Sequence, residues 1–235
     1  MATSTDALDL LVRGALVVKG RMPWSSNATF LVEVRLENVT GLAVYKPARG
    51  ERPLWDFPPR LFRRELAAYL LSEALGWDLV PPTVAREDGP YGEGALQLFV
   101  HADFEQHYFT LLEDPARHEG LQRICVFDLV ANNADRKSGH CLAGPDGRVW
   151  AIDNGLCFHA EPKLRTVIWE FGGAEIPVAL LDDLRRFTER ELAQPLAALL
   201  TRDERTALRL RARRLLDGGR FPADAGGHHY PWPLV

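Results

Sequence analysis

The sequence predicts an α+β protein of two lobes. A small antiparallel sheet lobe spans about residues 8–100, a helical lobe spans about 101–217, and an irregular tail covers 218–235. Three observations carry this. Short runs with the two-residue alternation of strands crowd the first hundred residues. Longer apolar runs with helical spacing fill the next hundred, and strands followed by helices segregate into layers. The composition, 46% hydrophobic and 26% charged over 235 residues, is that of a globular chain large enough to bury a core without disulfides.

Taken in order, residues 1–6 read as frayed and Leu8–Leu11 as one apolar helical turn. Ala15–Lys19, Phe30–Leu36 and Gly41–Lys46 read as strands, the last closed by Pro47, with a loop at Gly20–Thr29 rich in Gly, Pro, Ser and Asn. A proline-rich loop at 48–59 precedes a helix over Leu61–Leu75, ended by Gly76. Val84–Arg86 and Gly94–Val100 flank the turn EDGPYGEG as two more strands, giving β-β-β-α-β-β. Pro115–Ala131 holds the run LQRICVFDLVA, apolar nearly all round and therefore a buried helix. The short pieces CLA and VWAID are joined by the turn GPDG. Helices follow over Ile176–Phe187, Glu189–Leu200 and Arg202–Leu216.

Several function classes are excluded. A net charge of −4 argues against a nucleic-acid partner, which needs a basic face. Cys125, Cys141 and Cys157 form no disulfide framework and point to a reducing, cytoplasmic setting. The apolar run near the N-terminus is broken by Asp9, Arg13 and Gly14 and has no basic flank, so neither a signal peptide nor a transmembrane segment is expected.

The chemistry concentrates at a few positions. Lys46 ends an apolar strand, where a lysine can reach a phosphate as a point charge; a solvated strand end is the plainer reading. Glu65 changes this, because its helical neighbours Leu61, Phe62, Ala68 and Tyr69 are apolar and a carboxylate there needs a cation. Lys46 is the expected partner, with Arg63 or Arg64 as the alternative. Ser25, Ser26 and Asn27 could donate to phosphate, although no glycine-loop spacing is present. The segment ANNADRKSGHCLAGPDGRVWAIDNG carries the strongest signal. Asp135 follows a buried helix, Asp153 follows the strand VWAI, and a hairpin between them would bring the carboxylates together. One could take a proton from a hydroxyl and the other hold a hard cation.

The ordered set VYKP, RREL, QLFV, NADRKSGH and AIDNG, spread over roughly residues 14–160, resembles the atypical kinases that include phosphatidylinositol 3- and 4-kinases and HipA-type kinases. The resemblance implies one two-lobed, protein-kinase-like domain that binds ATP with magnesium or manganese and transfers its γ-phosphoryl group to an unidentified hydroxyl acceptor on a protein, a small molecule or a phosphoinositide. Residues 160–175 lack the basic cluster a phosphoinositide headgroup needs, which favours the first two. By it Lys46 contacts the phosphates and Glu65 anchors Lys46. Gln97, Leu98, Phe99 and Val100 form the hinge beside adenine, which would also rest on Val44 and Ile152. Asp135 is the catalytic aspartate and Asp153 the metal ligand. Asp128 would brace the catalytic loop through backbone amides.

Two positions depart from the family pattern. The asparagine expected five residues after the catalytic aspartate is His140, a ligand that favours softer metals. The histidine expected after Asp-Arg is Lys137, a possible cation beside the transferring group. His140 leaves open a nucleotide-binding pseudokinase or scaffold. Transfer of AMP by a nucleotide bound in reverse is a second alternative, and a zinc site on His140, Cys141, Cys157 and His159, which the hairpin would bring near one another, is a third.

Overall fold

The computed structural model of the chain describes residues 4–23 and 27–234. It divides into two compact units, residues 1–69 with 80–100 and residues 70–79 with 101–235. The chain therefore leaves the first unit in the middle of a helix and returns to it for two strands.

The first unit is a five-stranded antiparallel sheet. Its strands are β1 (Ala15–Arg21), β2 (Phe30–Leu36), β3 (Val39–Pro47), β4 (Thr83–Gly89) and β5 (Gly92–Leu98), in the order β1-β2-β3-β5-β4. Alternation sorts their side chains onto two faces. Val32, Val34, Ala43, Tyr45, Val84 and Leu96 meet Leu10 and Leu11 of helix α1 (Ser4–Arg13) on one face. Here the structure corrects the sequence reading: residues 4–6 are not frayed but open a ten-residue helix, steadied by the Asp9–Arg13 pair four residues apart. Lys46 lies on the opposite face and meets α2 (Phe62–Leu75) there. The carboxylate of Glu51 accepts from Phe62 N at 2.8 Å and caps α2, and Gly76 ends it at φ +71°, a left-handed conformation costly for other residues.

The second unit is helical, with α3 (Tyr108–Leu112), α4 (His118–Ala131), α5 (Val178–Glu189), α6 (Gln194–Leu199) and α7 (Arg202–Gly218) around a hairpin of β6 (Cys141–Ala143) and β7 (Val149–Ala151). The short α3 had no sequence signal strong enough to separate it from a loop. Leu121, Ile124, Val126, Phe127 and Val130 bury most of the surface of α4, as its apolar run requires. At Gly120 a Cβ would stand 2.9 Å from Val149 Cγ2, so glycine there lets α4 lie against β7. Ala151 N donates to Leu79 O at 2.9 Å, tying the hairpin to the segment after α2. Reciprocal bonds between Thr201 and Glu204 cap α7, and Gly219 ends it at φ +63°. No helix among the described residues is long and apolar enough to cross a membrane.

Candidate active site

In the first unit Lys46 Nζ donates to the Glu65 carboxylate, which is 2% exposed. Of the alternatives Arg63 and Arg64, the Arg64 guanidinium also lies 5.3 Å from the centre of the Phe57 ring. Val44 shares the Lys46 face of the sheet. Leu98 does not: it pairs with Ala43 across the strands and packs with the α1 core. A ligand on the Val44 face would meet the amide side of Gln97 instead, which is buried and donates to Thr83 Oγ1 at 2.9 Å. The hinge reading needs a second correction. Leu98 N donates to Pro82 O and Phe99 N to Leu42 O, so these two amides are spent inside the unit and not offered to adenine. Asn27 Oδ1 accepts from Arg52 N at 2.9 Å, pinning its loop to residues 48–52 and leaving only the amide group of its side chain as a donor for phosphate. Ser25 and Ser26 lie outside the described residues.

The second unit carries the acidic pair. Helix α4 stops at Asn132, which adopts a left-handed conformation (φ +55°). Its side chain donates to the carbonyls of His159 and Glu161 and accepts from Lys163 N, clamping the segment beyond the hairpin. Asn133 Oδ1 then accepts from Asp135 N at 3.0 Å and orients the loop. Burial is the main force on Asp135 and pushes its pKa up to about 6; Lys137, whose Nζ lies 3.4 Å from Oδ2, opposes the rise, and the Asp153 charge adds to it. Asp153 itself sits at φ +57°, a strained position for a residue with a side chain, of the kind that surrounding structure must enforce.

Arg136 does the enforcing. Its guanidinium is fully buried against a fully buried Asp128. Nε donates to both Asp128 oxygens and one terminal nitrogen donates to Oδ1. The other terminal nitrogen, Nη1, donates to Ile152 O at 2.6 Å, and Nη2 also donates to Asn154 Oδ1 at 2.7 Å. Arg136 therefore bolts the Asp135 loop to the residues on either side of Asp153. Asp128 braces the loop as expected, but through the side chains of Arg136, Asn133 and Thr166, not through backbone amides. Asn133, Arg136 and Asn154 escaped sequence reading because each looks like turn chemistry until its burial is known. Ile152 donates its N–H to His140 O at 3.0 Å, linking the two ends of the hairpin.

His140 Nε2 lies 3.3 Å from Asp153 Oδ2. Its Nδ1 lies 3.0 Å from Asp135 O and, at 3.3 Å, from Lys137 N. When Nδ1 accepts from Lys137 N, Nε2–H donates to the Asp153 carboxylate; when Nδ1–H donates to Asp135 O, Nε2 turns a lone pair towards Asp153 and leaves room for a cation between them. One imidazole and one carboxylate fit a divalent cation that takes its remaining ligands from phosphates and water. The zinc reading finds no support: among the described residues no group of three His, Cys, Asp or Glu could hold a metal ion. Burial pushes the Cys141 thiol up to about 12, and the side chain packs as a small buried hydrophobe.

The α+β fold is kinase-like. The structure of Hydra Fam20 with sugar matches over 91% of this chain and 87% of that one, with a TM-score of 0.54 and 15% identity. The Helicobacter pylori proinflammatory kinase CtkA matches over 90% and 94%, with a TM-score of 0.50 and 13% identity. At such identities the likeness establishes the fold. No protein-family model matches the sequence. Protein Rv2133c of Mycobacterium tuberculosis is 42% identical over 270 aligned positions, covering 99% of this chain and 97% of that protein. The chain belongs to the family of Protein Rv2133c.

Proposed function

We propose that the protein is an ATP-dependent phosphotransferase that moves the γ-phosphoryl group to a hydroxyl on a protein or small-molecule acceptor. The observation that carries this reading is that Arg136 ties the Asp135 loop to both neighbours of Asp153, and His140 lies against Asp135 O and the Asp153 carboxylate, in a chain of kinase-like fold. In this scheme Lys46, held by Glu65, contacts the nucleotide phosphates. Asp153 and His140 hold magnesium or manganese, which when bound neutralises charge on the phosphates. Asp135 orients the acceptor hydroxyl and takes its proton, and Lys137 adds a positive charge beside the transferring group. Phosphoryl transfer asks the protein chiefly for positioning and charge stabilisation, and these residues supply both.

The test is a thermal shift with ATP, with and without magnesium or manganese, on the natural protein and on Asp153→Ala. A ligand that binds only the folded state raises the melting temperature by mass action. A metal-dependent rise is expected in the natural protein and its loss in Asp153→Ala. Absence of a rise with every metal would overturn the proposal. Following whether the γ or the α phosphate of labelled ATP reaches the product then separates phosphate transfer from AMP transfer.

The imidazole also makes a prediction about metal choice. Histidine suits manganese better than magnesium, and a carboxamide suits magnesium. His140→Asn is expected to shift the ratio of manganese-supported to magnesium-supported turnover towards magnesium by about tenfold, the equivalent of one modest ligand preference. An unchanged ratio would remove His140 from the metal.

A further inference from the structure

Residues 219–234 contain no helix or strand of their own, yet they run back over the second unit and bond to it at three stations. At the first, Phe221 is buried and exchanges backbone bonds with Gly173 and Ala174, beside the Glu175–Arg220 bridge. At the second, His229 O accepts from Thr166 N at 2.9 Å. At the third, Leu234 O accepts from Ser138 N at 2.9 Å.

The second and third stations bracket Arg136. Thr166 is its bridge partner and sends its hydroxyl to Asp128; Ser138 is two residues further along the same loop, between Lys137 and His140. With the segment in place Thr166 and Ser138 are 1% and 0% exposed, and their amides are satisfied by its carbonyls. The Ser138 hydroxyl is buried without a hydrogen-bond partner among the described residues. The covering segment is itself held by a small latch. Asp224 accepts from His229 N at 3.0 Å and from the His229 ring at 2.9 Å, and that ring lies 6.1 Å from Trp169. Pro231 is buried beside it, whereas Trp232 is 88% exposed.

We propose that residues 228–234 are a positioning strap. By satisfying the Ser138 and Thr166 amides, the strap holds the loop from Asp135 to His140 in its working geometry, with Asp224 and His229 as the latch. Its effect on turnover rests on the phosphotransferase reading; its effect on the loop does not, and the two are measured separately. Two variants serve, a chain ending at Gly227 and full-length His229→Ala. Hydrogen exchange is followed in peptides covering 134–141 and 163–170, with α4 as the internal control. Exchange in both peptides is expected to accelerate on the order of tenfold, the loss of one buried bond at each station, while α4 stays protected. In the assay, kcat is expected to fall on the order of tenfold while binding of metal-free ATP is unchanged, because the displaced loop carries Asp135 and His140 and not Lys46. Unchanged exchange in both variants would overturn the strap. Faster exchange with unchanged kcat would overturn its positioning role, and a rise in kcat would show that the segment inhibits. If the natural protein turns over no ATP, the phosphotransferase reading fails while the exchange measurement still decides whether the strap holds the loop.

Discussion

Asp135→Asn is expected to lower kcat by about 10²–10⁴-fold, the usual worth of a general base, while leaving the magnesium-dependent thermal shift with ATP in place. The carboxamide keeps the shape and removes the proton acceptor. The natural protein should carry the matching pH signature. With the Asp135 pKa pushed up to about 6, kcat/KM for the acceptor should rise roughly tenfold per unit below that value and level off above it. A profile flat between pH 5 and 8 would mean that Asp135 takes no proton in the slow step.

The same carboxyl should show itself in stability. A folded-state pKa raised from 3.8 to about 6 means that the folded protein binds the proton more tightly than the unfolded chain. The contribution is fully present below pH 3.8 and is lost as pH rises through about 6. At pH 7.5 the ionised Asp135 therefore costs stability, of order 1–3 kcal/mol after allowance for its partial exposure. Asp135→Asn should unfold at a higher temperature than the natural protein at that pH, and the gain should vanish near pH 4. A variant that is more stable and inactive is the mark of a residue kept for chemistry.

How much of this was legible without coordinates differs from element to element. The sheet strands, the Glu65 helix and the buried α4 announced themselves by period and by apolar content. The pairing of Lys46 with Glu65 followed from one argument, that a carboxylate on an apolar face needs a cation, and the ion pair forms. Other features turn on facts that sequence does not carry. The face to which Leu98 points depends on register against Ala43, and a shift of one residue would reverse it. Arg136 reads as a polar loop residue because arginine is rarely buried; only its enclosure with Asp128 reveals a clamp. Residues 219–234 read as a tail because backbone bonds to distant amides leave no trace in composition. Periodicity reports faces, and the site is built largely from capping, register and buried polar bonds.

Arg136→Met is expected to be the most destabilising single change in the site. It strips Asp128 of its cation and leaves a fully buried carboxylate held only by Asn133 and Thr166. Breaking a buried pair from one side costs about 3–5 kcal/mol. For a chain of this size that corresponds to a fall in melting temperature of roughly 10 °C. Removing the stranded charge should reverse much of it, since a buried ion pair replaced by apolar groups of similar volume is often neutral. Asp128→Leu/Arg136→Met should thus recover most of the lost stability. Activity should not return with it, because the bonds from Arg136 to Ile152 O and Asn154 Oδ1 are gone, and Asp153 has lost what enforces its left-handed backbone. Thermal unfolding and kcat measured on the two variants separate the roles. Stability regained without turnover identifies the guanidinium as the part that sets Asp153 against Asp135. Turnover regained together with stability would mean that the fold alone positions the two acids.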